Sequence, residues 1–500
     1  MSAASRPNVL VVVLDCVRAS DFPGGPTAPP MPFVESLGRE SIQFPNAVAP
    51  APWTIPSHAS LFTGLYPWEH GAHWRNQVTL DPSIPRLPQW LRAAGYRTLS
   101  LSANPLLSPT FRLVDGFDTA AWAGWWEPYL RFGHPERPPL STENGGSSRA
   151  GLAKMRSGGR QDLIQRSRRL FSRYPVLLQG ASRFAQGLRD PQGAASASMA
   201  RWIEPTLDDW LGRRAAGEPV FVFVNLLDSH EPYFANSAEV HGALGWWRYA
   251  RICQDHLSYL TGERVPNAEE IALLRRLYRA MIRGLDARLA AIVAAFRKHD
   301  RWDDSLAVIT SDHGQAFGEH GMFYHMLRLD EGLLRIPLYV RLPRSEQAGA
   351  KAKGWASLID VPGTVASACG AEAAPAPSAR PLLSLVDADR GEPVLAASDG
   401  IVWKHFQDRF TEANRGRFDR VFGAAYSDDR KVVVDASDGT TAAFDVRNDP
   451  AEQRDLWGPE QSELAFLQHS ASDAARRMLK SSAQELATDV EDRLRAWGYL

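Results

Sequence analysis

The stretch Asn8–Asp15, NVLVVVLD, decides the fold. Its six consecutive apolar residues, Val9 to Leu14, show no polar alternation. Such a run describes a strand buried on both faces, as in a parallel sheet covered by helices. Four further runs have the same character: Tyr96–Asn104, Val220–Asp228, Leu306–Asp312 and Ile336–Leu342. Helical stretches lie between them, at Pro32–Gly38, Ser57–Gly64, Pro88–Gly95, Ala200–Gly217 and Glu269–His299. The alternation predicts a doubly wound α/β domain with a largely parallel central sheet and helices on both faces. We assign residues 1–385 to this domain and residues 386–500 to a smaller C-terminal α+β subdomain. In the latter, Lys431–Ser437 and Thr440–Val446 flank Asp438-Gly439, a two-residue hairpin signal. A polar, helix-prone tail follows from Glu460 to Trp497.

Composition narrows the class. Of 500 residues, 44% are hydrophobic and 23% charged, which excludes disordered, collagen-like and coiled-coil chains. Lys+Arg 56 against Asp+Glu 57 gives a formal net charge of -1, so no nucleic-acid partner is expected. Cys16, Cys253 and Cys369 are too few and too scattered for a disulfide framework or a thiolate zinc site. The run Val9–Leu14 is too short to span a membrane, and no small-residue cleavage site follows it. The expectation is a soluble, reduced, cytoplasmic enzyme with no membrane partner. Residues 131–190 hold 12 Lys+Arg against 4 Asp+Glu, which reads as a basic lid over an anionic substrate or a solvated insertion.

Three of the strands end alike. VLVVVLD, FVFVNLLD and LAVITSD each close on an aspartate: Asp15, Asp228 and Asp312. Ligands of open α/β sheets bind at the carboxyl ends of strands, so these three are expected to converge on one crevice. Helix N-capping is the alternative for each. The segment WTIPSHASLFTG, Trp53 to Gly64, sets Thr54 just before a helix whose first turn holds Pro56. Free backbone N–H groups there favour negative charge, and a deprotonated Thr54 hydroxyl is a nucleophile toward phosphorus or sulfur. The simpler reading is an N-cap threonine. Asp312-His313 offers a hard oxygen and an imidazole nitrogen. With Asp15 and Thr54 they would complete a site for one divalent metal ion, Zn²⁺, Mn²⁺, Mg²⁺ or Ca²⁺. In DSHEPY, Asp228 and His230 point to the same side if the backbone is extended. His230 is then placed to donate a proton to a leaving oxygen or to bind a substrate oxygen.

These segments, in this order, resemble the sulfatase-like branch of the alkaline phosphatase superfamily. RPNVLVVVLDCVRASD is similar to its opening strand and first metal aspartate, and TIPSHASLFTGLYPWEHG to its nucleophile motif. GYRTLSLSANP, NLLDSHEPY, VITSDHGQAFGEHGMFYH with LLRIPLYVR, and FDVRNDPAEQRDL extend the resemblance over nearly the whole chain. The resemblance implies Thr54 at the nucleophile position and Asp15, Asp312 and His313 as metal ligands. His230 matches the histidine that contacts the leaving or transferred group. His58, Asn104 and His325 fall where members carry arginine or lysine toward the substrate. Cys16 replaces the second aspartate of the usual pair, leaving that ligand open to question.

The departures shape the expected chemistry. Oxidising threonine would give a ketone, so no formylglycine is expected and Thr54 acts as a hydroxyl. Fewer fixed cations favour a singly charged substrate. The expected function is a metal-dependent hydrolase of small anionic phosphate or sulfate esters, foremost a phosphodiesterase. Alternatives are a phospho-group transferase to an alcohol, a sulfate ester hydrolase, or an anion-binding pseudoenzyme. A two-metal site using Asp228, His230 and His320 or His325 is a lesser alternative, and the sequence leaves the oligomeric state open.

Overall fold

The computed structural model describes residues 6–122, 141–142, 202–231, 233, 252, 256–374, 376–400, 415–481 and 490. The main sheet is built from β1 (Asn8–Leu14), β2 (Ile42–Gln43), β3 (Arg97–Ser102), β4 (Thr119–Trp122), β5 (Ser141–Thr142), β6 (Val220–Leu226), β7 (Ser305–Thr310) and β8 (Leu338–Arg341). Its spatial order is β2-β8-β7-β1-β6-β3-β4-β5. The five strands from β7 to β4 run parallel, while β8 and β5 join antiparallel at either side. The expected strand at Ile336–Leu342 therefore exists but runs against its neighbour.

Side-chain alternation in β1 divides two cores. Val9, Val11 and Val13 pack with Phe221, Phe223 and Val308 on one face. Leu10, Val12 and Leu14 pack with Val222, Val224 and Ile309 on the other. Helices α2 (Thr54–Thr63), α3 (Leu87–Ala93) and α6 (Asp360–Ala368) cover the first face. The second is covered by α1 (Pro32–Arg39), α4 (Ile203–Gly212) and α5 (Ala268–Lys298). In α5 the buried residues recur three and four apart, from Leu274 through Leu277, Tyr278, Met281 and Ile282 to Phe296, the stripe that a helix lays on a sheet. Asn267 and Glu270 close a capping box at its start. Full burial of both faces is why β1 and β7 carry no polar alternation, whereas β3, RTLSLS, alternates with Thr98, Ser100 and Ser102 buried.

At the C-terminal end, β9 (Val394–Ser398), β10 (Phe422–Ser427), β11 (Arg430–Asp435) and β12 (Thr441–Asp445) form an antiparallel sheet, with α7 (Ala465–Lys480) packed on it. A Cβ at Gly423 would stand 2.1 Å from the Ala471 carbonyl oxygen, so only glycine lets α7 approach this closely. Val394, Ala396, Ala424 and Tyr426 share the hydrophobic cluster of the main sheet. The expected two-residue turn at Asp438-Gly439 is not the turn observed. Asp435 N–H donates to Thr440 O, so the loop spans residues 436–439. The tight hairpin is instead at Asp428-Asp429, with Asp428 at φ 50 and Ser427 opposite Arg430. Apart from Ser141–Thr142, the basic 131–190 stretch lies outside the described residues. Among the described residues no helix is long and apolar enough to cross a membrane.

Candidate active site

β1 stands between β6 and β7 in the sheet, and the chain passes from β6 to β7 across it, so the direction of strand addition reverses there. Such a switch point opens a crevice at the carboxyl ends of the strands. Asp15 follows β1 there, and Asp312 and His313 follow β7. Both carboxyls are fully buried.

The environment of Asp15 is built by amides. Asn104 Nδ2 donates to its Oδ2 at 2.9 Å and Asn225 Nδ2 donates to the same oxygen at 3.2 Å. The Cys16 thiol donates to Oδ1 at 3.3 Å. Asp312 Oδ1 accepts from Cys16 N–H at 3.2 Å and from His313 N–H at 2.9 Å, whereas Oδ2 has no hydrogen-bond partner among the described residues. Burial, increased by the charge of Asp312, pushes Asp15 up to about 7. Burial does the same to Asp312, also to about 7. Two carboxylates buried together are costly unless a cation joins them.

Thr54 completes the cluster from the opposite helix. Its Oγ1 lies 3.4 Å from His313 Nε2. His313 Nδ1–H donates to Gly314 O at 2.9 Å, which fixes the ring with its lone pair on Nε2. Helix α2 begins at Thr54 itself rather than after it, and Trp53 holds the N-cap position without a side-chain bond. The N-cap alternative for Thr54 is thereby removed. Its hydroxyl stands at a helix start whose first N–H groups have no intrahelical acceptor.

The loop after β1 is pinned from several sides. Tyr278 O–H donates to Cys16 O at 2.7 Å, and Val17 N–H donates to Ser311 Oγ at 2.9 Å. Cys16 is thus held at φ 64, a left-handed conformation that a non-glycine residue adopts only under such constraint. Burial pushes its thiol well above the usual value.

The remaining histidines share one feature. His58 Nδ1–H donates to Thr54 O at 2.9 Å, His230 Nδ1–H to Glu231 O at 2.8 Å, and His325 Nδ1–H to Gln315 Oε1 at 3.0 Å. Each ring therefore carries its lone pair on Nε2. Burial lowers His58 and His230 to about 3, and lowers His325 well below the ordinary imidazole value. As neutral rings they accept at Nε2. With Nδ1 engaged, Nε2 is the nitrogen through which each ring would meet a substrate or a cation.

Two other expectations change. Asp228 does not join the crevice: Arg288 Nη1 bonds its two oxygens at 2.8 and 3.1 Å. The backbone turns after Leu227, with His230 N–H donating to Leu227 O, so Asp228 and His230 diverge instead of sharing a side. His320 is also elsewhere, beside Asp330 and Glu452. A two-metal site through Asp228 or His320 is excluded on these positions. Asn104, expected at the substrate, uses its amide nitrogen on Asp15, and its Oδ1 accepts from Leu106 N–H at 2.9 Å. It supports the carboxylate from behind. Asn104→Ala is expected to weaken divalent-cation binding by about 10–100-fold with the fold intact, read by calorimetric titration. Unchanged affinity would assign Asn104 no such role.

Asn225 and Gln315 went unnoticed in the sequence. Asn225 had a signal, as the polar residue inside the apolar run of β6. Gln315 directly follows Ser311-Asp312-His313-Gly314, and only its contacts mark it.

The donors present fit a divalent cation. One carboxylate oxygen of Asp15, Cys16 Sγ and one ring nitrogen of His313 lie within 4.8 Å of one another, and Asp312 Oδ2 stands 3.3 Å from His313 Nε2. Oxygen, nitrogen and hydroxyl donors converge there.

The sulfatase family model matches residues 7–371. Choline-sulfatase of Rhizobium meliloti (strain 1021) is 25% identical over 68% of this chain and 63% of its own. The multifunctional alkaline phosphatase superfamily protein PehA of Trinickia caryophylli is 26% identical over 76% of this chain and 77% of its own. The chain thus spans a little under two thirds of the first of these relatives. The solved phosphonate monoester hydrolase of Agrobacterium radiobacter shares the fold at TM-score 0.63 and 19% identity, covering 93% of this chain and 94% of that one.

Proposed function

The chain belongs to the sulfatase family, and from that premise we propose that it is a metal-dependent ester hydrolase, specifically a phosphodiesterase with Thr54 as nucleophile. The observation that carries the proposal is the Thr54 hydroxyl, buried 3.4 Å from His313 Nε2 in the cluster that contains Asp15 and Asp312. The likeness to PehA and to a phosphonate monoester hydrolase supports phosphorus chemistry alongside sulfate chemistry.

Asp15, Asp312 and His313 would hold the cation, with Thr54 Oγ1 beside it. When bound, the cation lowers the pKa of that hydroxyl and stabilises charge on the transferred group. Thr54 Oγ1 then attacks phosphorus, forming an Oγ1–P bond as the bond to the leaving oxygen breaks. Water relays the proton lost by Thr54 Oγ1 to the leaving alkoxide, so the step balances in protons. Water next attacks phosphorus and returns the hydroxyl to Thr54. The helix start at Thr54 favours the negative charge developing there. Neutral imidazoles add no fixed charge, which suits a diester monoanion better than a monoester dianion.

A panel of phosphodiester, phosphonate monoester, phosphomonoester and arylsulfate substrates tests the reading. Diesters are expected to turn over fastest, and acid-quenched protein is expected to carry the phosphoryl group with its remaining ester substituent on the peptide containing Thr54. Fastest turnover of the arylsulfate with no such adduct would reassign the chain to sulfate esters.

A further inference from the structure

We propose that Cys16, His230 and His325 form a second cation site beside Asp15, Asp312 and His313, with a sulfur–nitrogen–nitrogen donor set suited to Zn²⁺. The Cys16 Sγ and one ring nitrogen from each histidine lie within 4.8 Å of one another, and all three residues are buried. Sequence spacing gave no hint of a thiolate zinc site, since one cysteine is distant from both histidines. A single thiolate suffices when two imidazoles complete the set, and three protein ligands with an open position are the usual arrangement of catalytic zinc.

The orientation of the donors supports the assignment. His230 and His325 have ring centres 5.1 Å apart, and both rings have Nδ1–H tied to a protein oxygen. Metal-binding histidines are characteristically fixed through their other nitrogen in this way. His325 Nε2 has no hydrogen-bond partner among the described residues, and the residue is 2% exposed. Gln315 fixes this ring: its Nε2 donates to Glu231 Oε2 at 3.0 Å, so its Oε1 must be the atom facing His325. With Nδ1–H of each ring donated to a protein oxygen, Nε2 is the nitrogen left to meet a cation. The pinned backbone of Cys16, at φ 64, aims the sulfur between the two donor groups.

On zinc binding the Cys16 S–H bond breaks, a Zn–S bond forms and one proton passes to solvent. The second cation would supply the positive charge for a substrate anion that His58 and His325 do not. That consequence rests on the hydrolase reading, whereas the existence of the site does not.

Metal-stripped full-length protein, titrated with Zn²⁺ and separately with Co²⁺, tests it. Wild type is expected to bind two equivalents, one of them bringing a near-ultraviolet thiolate-to-cobalt band and releasing a proton. His325→Ala is expected to lose that equivalent and its band together, and Cys16→Ser to lose the band. Saturation at one equivalent, absence of the band in wild type, or a band that survives His325→Ala would overturn the proposal. Should a variant fail to fold, the wild-type cobalt spectrum still decides. A protein with two equivalents and the band, yet inactive on every ester, would refute the hydrolase reading and leave this site standing.

Discussion

Thr54→Ala is expected to reduce turnover by about 10⁴-fold or more, the scale seen when a catalytic hydroxyl is removed from an otherwise intact site. The fold should survive. Trp53, not Thr54, occupies the N-cap of α2, and no side-chain cap bond is lost. The hydroxyl's contact with His313 Nε2 is the interaction removed. Thr54→Ser keeps the alcohol and drops one methyl group, so it should stay within about tenfold of wild type if chemistry resides in that oxygen. Steady-state rates on the best diester, with a thermal melt of each variant, give the answer. Diesterase activity in Thr54→Ala within tenfold of the parent would remove Thr54 from the mechanism.

Metal removal should make stability fall with rising pH. In the cation-free protein, burial holds Asp15 and Asp312 at about 7, against the usual 3.8. The folded state therefore binds more protons than the unfolded state between about pH 4 and 7. Stability from these groups is present at the acidic end and is lost as pH climbs through 7. Each carboxyl corresponds to about 4 kcal/mol at neutral pH, an upper bound because the two interact. Chelated protein should thus melt progressively lower from pH 5 to 7.5, and added divalent cation should flatten that slope. Asp312→Asn should flatten it too without metal, while abolishing most of the cation's effect. A chelated protein whose melting temperature is level over this range would contradict the description of the pair.

How far the site was legible follows from which residues act through the chain and which through space. Asp15, Thr54, Asp312 and His313 were readable because each sits where a regular element begins or ends, and strand ends and helix starts leave marks in sequence. The expected convergence of Asp228 failed for a local reason. Its strand end was read correctly, but a turn at Leu227–His230 sends the carboxylate to Arg288, a residue on α5. The histidines were legible as residues, but which ring nitrogen each turns inward was not. Whether an imidazole donates or accepts depends on what its Nδ1 touches. For His325 that partner is Gln315, held in turn by Glu231 from another loop.

The sequence by itself determined the sheet and its two helical layers, since uninterrupted apolar runs have no stable home except a doubly covered strand. It also determined that an acid, an imidazole and an alcohol would stand at strand and helix ends. Only the tertiary structure decided that Cys16 meets His230 and His325, that Asn104 and Asn225 support Asp15, and which nitrogen of each ring faces inward. Those facts depend on hydrogen bonds between residues far apart in the chain. Burial makes each such bond obligatory, and no local pattern records which partner will satisfy it.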